Sequence, residues 1–345
     1  MASSAARLGE SARPSFEGRS GAARRADPLF KGILTGVAGL VLVLIAVFLV
    51  FLIMKARVAF AHQGFLSFIF TNDWNPSKEI YGSWPLVVGT LVTAAVALVI
   101  GVPIAVATAL YITELCPDRL KQPLTILVEL LAAVPSVVYG LWGFFVLVPN
   151  LISVEQWIND RLAFLPFFGG TVSGPNYFVA GIVLAIMILP IVSAISREVI
   201  STVPADHKEA ALALGATRWE MIRTAVIPYS RSGIVGGAML GLGRAVGETV
   251  AVAIVIGQTP QIGDSLFNQG STLAAQIIAE FGEAGSDALH SGALIACGLV
   301  LFILTLIING IARYLVIRAD RIGAPTATAA PPAAAGPTAG AGAAS

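Results

Sequence analysis

Two ionisable residues stand in a stretch that is otherwise apolar. Arg244 and Glu248 lie within SGIVGGAMLGLGRAVGETVAVAIVI, Ser232 to Ile256. That stretch is long enough to cross a bilayer, which takes about 20 apolar residues. An ionised side chain at such depth costs roughly 3 kcal/mol on insertion scales, so it normally faces a protected interior and marks a pathway. The i, i+4 spacing puts the two on one face of a continuous helix, where they can pair. One reading is a structural salt bridge that neutralises two expensive charges. The other is that Arg244 presents a cation to an anionic substrate, with Glu248 orienting the guanidinium or reaching across to a second subunit. The planar guanidinium suits that task, because it donates two parallel hydrogen bonds to an oxyanion and stays charged. Gly241, Gly243 and Gly247 allow close packing or local unwinding beside it. Thr249 and Ser136, the latter directly after Pro135, add candidate hydroxyl donors to the substrate pathway. The commoner fate of a hydroxyl in a membrane helix is a bond to its own backbone.

A second constellation precedes the first. ADHKEAALALGATRWEMIRTAVIP, Ala205 to Pro228, is charged and amphipathic. Asp206 can cap a short helix and Gly215 can end it in the left-handed conformation. Thr217 and Glu220 have the spacing of a capping box for a second helix, which Pro228 is expected to terminate. Two short helices, too polar to enter the membrane, would project from it. An ordinary charged loop also fits the bare pattern.

The elements that position these residues follow from composition. Of 345 residues, 56% are hydrophobic and 12% charged, about half the charge of an average soluble domain. The expected fold class is therefore an all-α integral membrane protein. Six stretches qualify as spans: 33–54, 84–111, 123–148, 177–196, 232–256 and 290–317. Pro103, Pro135 and Pro190 fall inside three of them, where proline kinks a helix. Between the spans, Lys and Arg divide sixteen to four between the two sides. That excess puts both termini in the cytoplasm. Residues 1–28 and 321–345, rich in Ala, Gly, Pro and Ser, read as disordered tails around a permease domain at 29–320. Glu129 is expected near the cytoplasmic interface in a solvated role. Cys116 and Cys297 stand apart, without metal-ligand spacing. The chain has no phosphate-binding GxxxxGK[ST] loop, no HExxH and no dinucleotide fingerprint, so neither nucleotide hydrolysis nor metal chemistry is encoded, and no catalytic residue is expected.

Glu209-Ala210-Ala211, Gly215 and Pro228 follow the EAA signature of ABC importer membrane subunits, with Ala225 and Ile227 where Ile and Leu are usual. The runs GLGRAVGETVAV (Gly241 to Val252), LAAVPSVVYGLWG (Leu131 to Gly143) and VVGTLVTAAVALVIGVPIAVATALYITE (Val87 to Glu114) resemble the PstC family of phosphate-importer permeases. The resemblance covers most of residues 30–320. It implies a type I ABC importer permease fold with six transmembrane helices and a cytoplasmic EAA coupling loop at about 197–231. In it, Glu209, Ala210, Ala211 and Gly215 dock on an ATPase. It further implies a PstA-like second permease subunit, two PstB-like ATPase subunits that bind the ATP and Mg, a PstS-like phosphate-binding protein outside, and a bacterial inner-membrane location. No cofactor is expected in this chain. An importer for sulfate or molybdate is the nearest alternative. A stand-alone proton-coupled carrier using Glu248 fits less well, because it would have no ATPase to dock.

Overall fold

The computed structural model describes residues 21–165 and 167–323. The expected tails lie outside the described residues, except for 21–28, the first turns of α1 (Gly21–Gln63), and 321–323, the last residues of the final helix. A short helix α2 (Phe65–Phe70) and a two-residue hairpin, β1 (Trp74–Asn75) antiparallel to β2 (Ile80–Tyr81), lead into α3 (Trp84–Leu110). A π-helical turn at Tyr111–Leu115 extends α3. Then come α4 (Asp118–Ala133), α5 (Ser136–Trp142), a π turn at Gly143–Leu147, and α6 (Val148–Leu162). Next are α7 (Tyr177–Ser201), α8 (Ala205–Ala213) and α9 (Arg218–Met221), the last joined through a π turn at Ile222–Val226 to α10 (Ile227–Gly247). The chain closes with α11 (Val250–Val255), α12 (Leu273–Glu280) and α13 (Ala288–Gly323).

Five helices are long and apolar enough to cross a membrane: Phe30–Gln63, Trp84–Leu115, Ser136–Leu162, Tyr177–Ser201 and Ala288–Tyr314. The expected third span, 123–148, is displaced. A true break at Val134 and Pro135, both extended, separates α4 from the bilayer-length helix that starts at Ser136. Steric conflict with the proline ring pushes the preceding residue out of the helical region, and here the chain breaks rather than bends. Pro103 and Pro190 do sit inside α3 and α7. The fifth expected span, 232–256, is likewise two pieces, α10 and α11, interrupted at Glu248 and Thr249.

Small residues hold the core together. Along α3, Ala94, Ala97 and Ala105 are buried against α7, and a Cβ on Gly101 would stand 3.0 Å from the Ala185 carbonyl oxygen. Without water to drive helices together, such close backbone approach supplies the packing energy. On α10, Gly233, Gly237 and Gly241 recur every four residues and face Val199, Ile195 and Val192 of α7 in turn, which makes the two helices antiparallel. The N-terminal ends of α3 and α7 are covered by the segment 257–273. Its Leu266 carbonyl accepts from the Phe178 N–H at 3.0 Å, its Gln261 carbonyl accepts the Tyr177 hydroxyl at 3.3 Å, and the Thr90 hydroxyl accepts from the Leu273 N–H at 3.1 Å.

Candidate functional site: an arginine beside two helix breaks

Arg244 sits in the last turn of α10, one turn after Gly241, which meets Ile188 and Val192 at half the length of α7. That sets its depth near the middle of the bundle. Three faces of α10 have different fates. The first is sealed by glycines to α7, and a second carries Gly243 toward Asn309 of α13. On the third, Gly236 and Gly247 have open space beside them, and Leu240 and Arg244 are exposed. No described element covers that stripe.

The expected Arg244–Glu248 pair on one continuous helix does not form. The helix ends at Gly247, Glu248 is extended at φ −70° and ψ 132°, and Thr249 begins a new turn. The i, i+4 rule requires unbroken helical backbone between the partners, and it lapses here. Among the described residues Arg244 makes no ion pair, and Glu248 is half-buried without one. The Thr249 hydroxyl donates to the Gly247 carbonyl at 3.2 Å, the local fate expected of such groups. Ser136, half-buried at the first position of α5, makes no side-chain hydrogen bond among the described residues.

The two breaks are neighbours. A Cβ on Gly140 would lie 2.9 Å from the Cα of Ala251, and one on Gly143 would lie 3.0 Å from a methyl of Val255, so α5 and α11 run parallel in tight contact. Ser136, one turn before Gly140, thus lies near the interruption at Glu248 and Thr249. Ser136 therefore opens the helix 136–162, whose first-turn N–H groups have no partner within the helix and carry a partial positive charge. Tyr139 braces the break, its hydroxyl donating at 2.8 Å to the Leu131 carbonyl at the end of α4, which also accepts the Val134 N–H at 3.4 Å. Its ring also lies within electrostatic reach of Arg244. A cation, the opening N–H groups of a helix and a hydroxyl thus lie close together, a donor set suited to an oxyanion, although the Val138 N–H is already bonded to the Pro135 carbonyl at 3.0 Å.

The polar turn between α7 and α10 forms as two helices. Gly215, at φ 85°, ends α8 in a Schellman arrangement: the Ala216 N–H reaches the Ala211 carbonyl at 3.2 Å and the Gly215 N–H reaches Leu212 at 3.0 Å. Thr217 and Glu220 make the expected capping box, the Glu220 carboxylate accepting the Thr217 N–H at 2.7 Å. Bonds from the Thr217 N–H and hydroxyl hold the Glu220 carboxyl below its usual range. Two expectations fail. Pro204, not Asp206, is the N-cap of α8, leaving Asp206 in the first turn, where it favours the helix dipole. Pro228 does not stop the second helix, because the preceding π turn lets the Ile227 N–H reach back five residues to Ile222 and places the ring in the first turn of α10, where its missing donor is harmless. Glu209, Ala210 and Gly215 are exposed, as are Leu214 and Trp219, while Ala211 turns partly inward against a cluster of Ala109, Ile200, Met221, Ile222 and Val226.

Three features escape a sequence reading because their partners are distant in the chain. Lys208 of α8 pairs with Glu114 at 2.6 Å, and Arg197 pairs with Glu129 at 2.9 Å, so Glu129 is not simply solvated. At the end of the bundle away from α8, the Glu280 carboxylate is joined to Trp74 Nε1 at 2.9 Å, Gln276 Nε2 at 2.7 Å and His290 Nε2 at 2.8 Å, fastening the hairpin to α12 and α13.

Bilayer-length helices, two interrupted chains beside an unpaired arginine, and a polar helical turn projecting from one end define a membrane transport component rather than an enzyme. The chain belongs to the family of binding-protein-dependent transport system inner membrane components, whose pattern spans residues 101–321. It is 42% identical over 302 residues to the phosphate transport system permease protein PstC of Xylella fastidiosa strain 9a5c, covering 86% of this chain and 92% of that one. A PstC of Mesorhizobium japonicum is 43% identical over 304 residues, covering 86% and 92%. In architecture it is similar to a bacterial ABC transporter involved in the import of the acidic polysaccharide alginate, with TM-score 0.56 at 18% identity over 86% of this chain and 96% of that chain.

Proposed function

We propose that this chain supplies half of the translocation pathway for inorganic phosphate in an ATP-driven importer. The observation that carries the reading is the Arg244 guanidinium, unpaired among the described residues, on the one face of α10 that no described element covers, near the start of the 136–162 helix. Its partners under this reading are a PstA-like permease subunit against the open stripe, two PstB-like ATPases that bind ATP and Mg, and a PstS-like binding protein outside. The PstC names of the relatives support the substrate. Both termini lie in the cytoplasm of a bacterial inner-membrane protein, in keeping with the excess of Lys and Arg on that side. Glu209, Ala210, Leu214 and Trp219 form the surface that meets the ATPase, since exposed apolar side chains beside a charge suit a docking face. Closure of the ATPase pair would move α8 and switch the bundle between inward and outward access, with phosphate passing Arg244. Glu248, Thr249 and Ser136 line the same region, Ser136 as the free hydroxyl.

The test is ATP-driven uptake of labelled phosphate into vesicles holding the full assembly, comparing wild type with Arg244→Gln. Uptake by wild type and its loss in an assembled mutant support the reading. Equal uptake removes Arg244 from the path, and uptake of sulfate or molybdate in place of phosphate changes the substrate alone.

A further inference from the structure

The docking helix α8 has an unusual attachment. None of its residues is fully buried. Its contacts with the bundle are the half-buried Ala211, packed on the small cytoplasmic cluster, His207, whose ring lies 6.0 Å from that of Tyr229 on α10, and Lys208. The Lys208 ammonium meets the Glu114 carboxylate at 2.6 Å, and the two side chains are only 21% and 8% exposed. Glu114 belongs to the π turn Tyr111–Leu115, closed by the Cys116 N–H on the Tyr111 carbonyl at 2.8 Å, at the cytoplasmic end of α3. Helix α3 in turn packs along the whole of α7.

We infer that the Lys208–Glu114 ion pair is a strap that makes α8 and the end of α3 move as one body, so that a push on the docking helix reaches the α3–α7 seam. The inference rests on the transport reading above for what does the pushing. Both are positioning residues that act through the helices they join. A nearly buried pair is suited to the role, because removing one partner strands the other charge away from water, whereas an exposed pair is weakened by solvent and salt. Sequence separation matters as well: the pair joins residues 94 apart across two elements, so it transmits displacement rather than stiffening one helix. Glu198, Lys121 and the Arg197–Glu129 pair line the neighbouring cavity of about 490 Å³ between α4, the π turn and α7, but neither Lys121 nor Arg197 pairs with Glu114.

The experiment uses the assembled transporter in lipid nanodiscs. Nitroxide labels are placed at Leu115→Cys and Ala205→Cys, both exposed positions, with Cys116→Ala and Cys297→Ala as background. With the native pair, the label-to-label distance should stay the same with and without ATP. In Lys208→Gln and Glu114→Gln, ATP should shift or broaden that distance, and phosphate moved per ATP hydrolysed should fall several-fold. The charge-reversed double, Lys208→Glu with Glu114→Lys, should restore both readouts. The strap is refuted if the native distance itself changes on adding ATP, if the single variants behave as wild type, or if the double does no better than the singles. Absence of phosphate uptake in wild type would refute the transport reading instead, since the distance measurement needs no substrate.

Discussion

Alanine at Gly233 and alanine at Gly236 should have opposite effects, although they lie three residues apart on one helix. A Cβ at Gly233 would stand 2.8 Å from the Cβ of Val199 and nearer still to both of its methyl groups. Val199 is β-branched on a helix and holds one strongly preferred rotamer, so it cannot swing away; α10 must back off from α7. Overpacking of this kind costs about 1–3 kcal/mol. At Gly236 a Cβ would meet nothing within 4 Å. Replacing glycine by alanine inside a helix contributes roughly 1 kcal/mol of stability from propensity alone. Gly233→Ala should therefore fall between neutral and about 2 kcal/mol destabilised, and Gly236→Ala should gain up to about 1 kcal/mol. The propensity scale comes from water-soluble helices, but it cancels in the difference between the two variants, which should be about 1–3 kcal/mol. Unfolding in mixed micelles by graded addition of denaturing detergent, followed by tryptophan fluorescence, reads that difference directly. Equal midpoints, or a Gly233→Ala protein more stable than Gly236→Ala, would mean that α10 and α7 are not sealed through Gly233.

Thr217→Ala should destabilise the start of α9 by about 1 kcal/mol through loss of its cap, seen as faster amide exchange at residues 218–221. Glu220 supplies the pH dependence of the same cap. Its carboxyl is depressed in the folded chain, so the stabilisation is complete above the unfolded glutamate value of about 4.3 and fades as pH falls through the lower folded value. The stability gap between wild type and Glu220→Gln should close on acidification, and a gap that widens would contradict the assignment. Trp74→Phe keeps most of the ring contact with Tyr81 but removes the donor to Glu280. Loss of a hydrogen bond to a charged acceptor should cost about 1.5–3 kcal/mol, and exchange across the hairpin and residues 273–280 should rise together.

Hydropathy located most of the bundle: the starts at Trp84 and Tyr177 coincide with the expected ones, because each follows a polar turn and opens an apolar run. The capping box at Thr217 and the left-handed turn at Gly215 were legible for a similar reason, since the signal is the residue type at a short, fixed spacing. The breaks at Pro135 and Glu248 were not. Extended and helical residues bear the same side chains, so an apolar run looks continuous across an interruption, and the third span was expected thirteen residues too early at its start. Pro228 misled in the opposite sense, because a π turn can absorb a proline that local rules treat as a stop. Lys208 and Glu114 carry no mark of each other in sequence, and only the docking of α8 on the end of α3 makes them a pair.

The interruption at Glu248 also divides the backbone here into a long helical piece and a short one. From Arg218 to Gly247 the backbone is helical without a gap, through the π turn at Ile222–Val226. From that turn to Arg244 the rod is about 26 Å long at 1.5 Å per residue. A tilt of roughly 10° about the turn would therefore carry Arg244 sideways by about 4–5 Å, close to one helical pitch. Beyond Gly247 the extended chain does not pass that motion on. Helix α11 is held by α5, where Gly140 admits the backbone of Ala251, by α7, and by the segment 257–273, whose Gly270 N–H reaches the Ile256 carbonyl at 3.0 Å. Arg244 is thus carried at the end of α10, beside a half-helix that reaches the bundle through α5 as well as α7, so a tilt of α10 would shift the guanidinium relative to the interruption at Glu248.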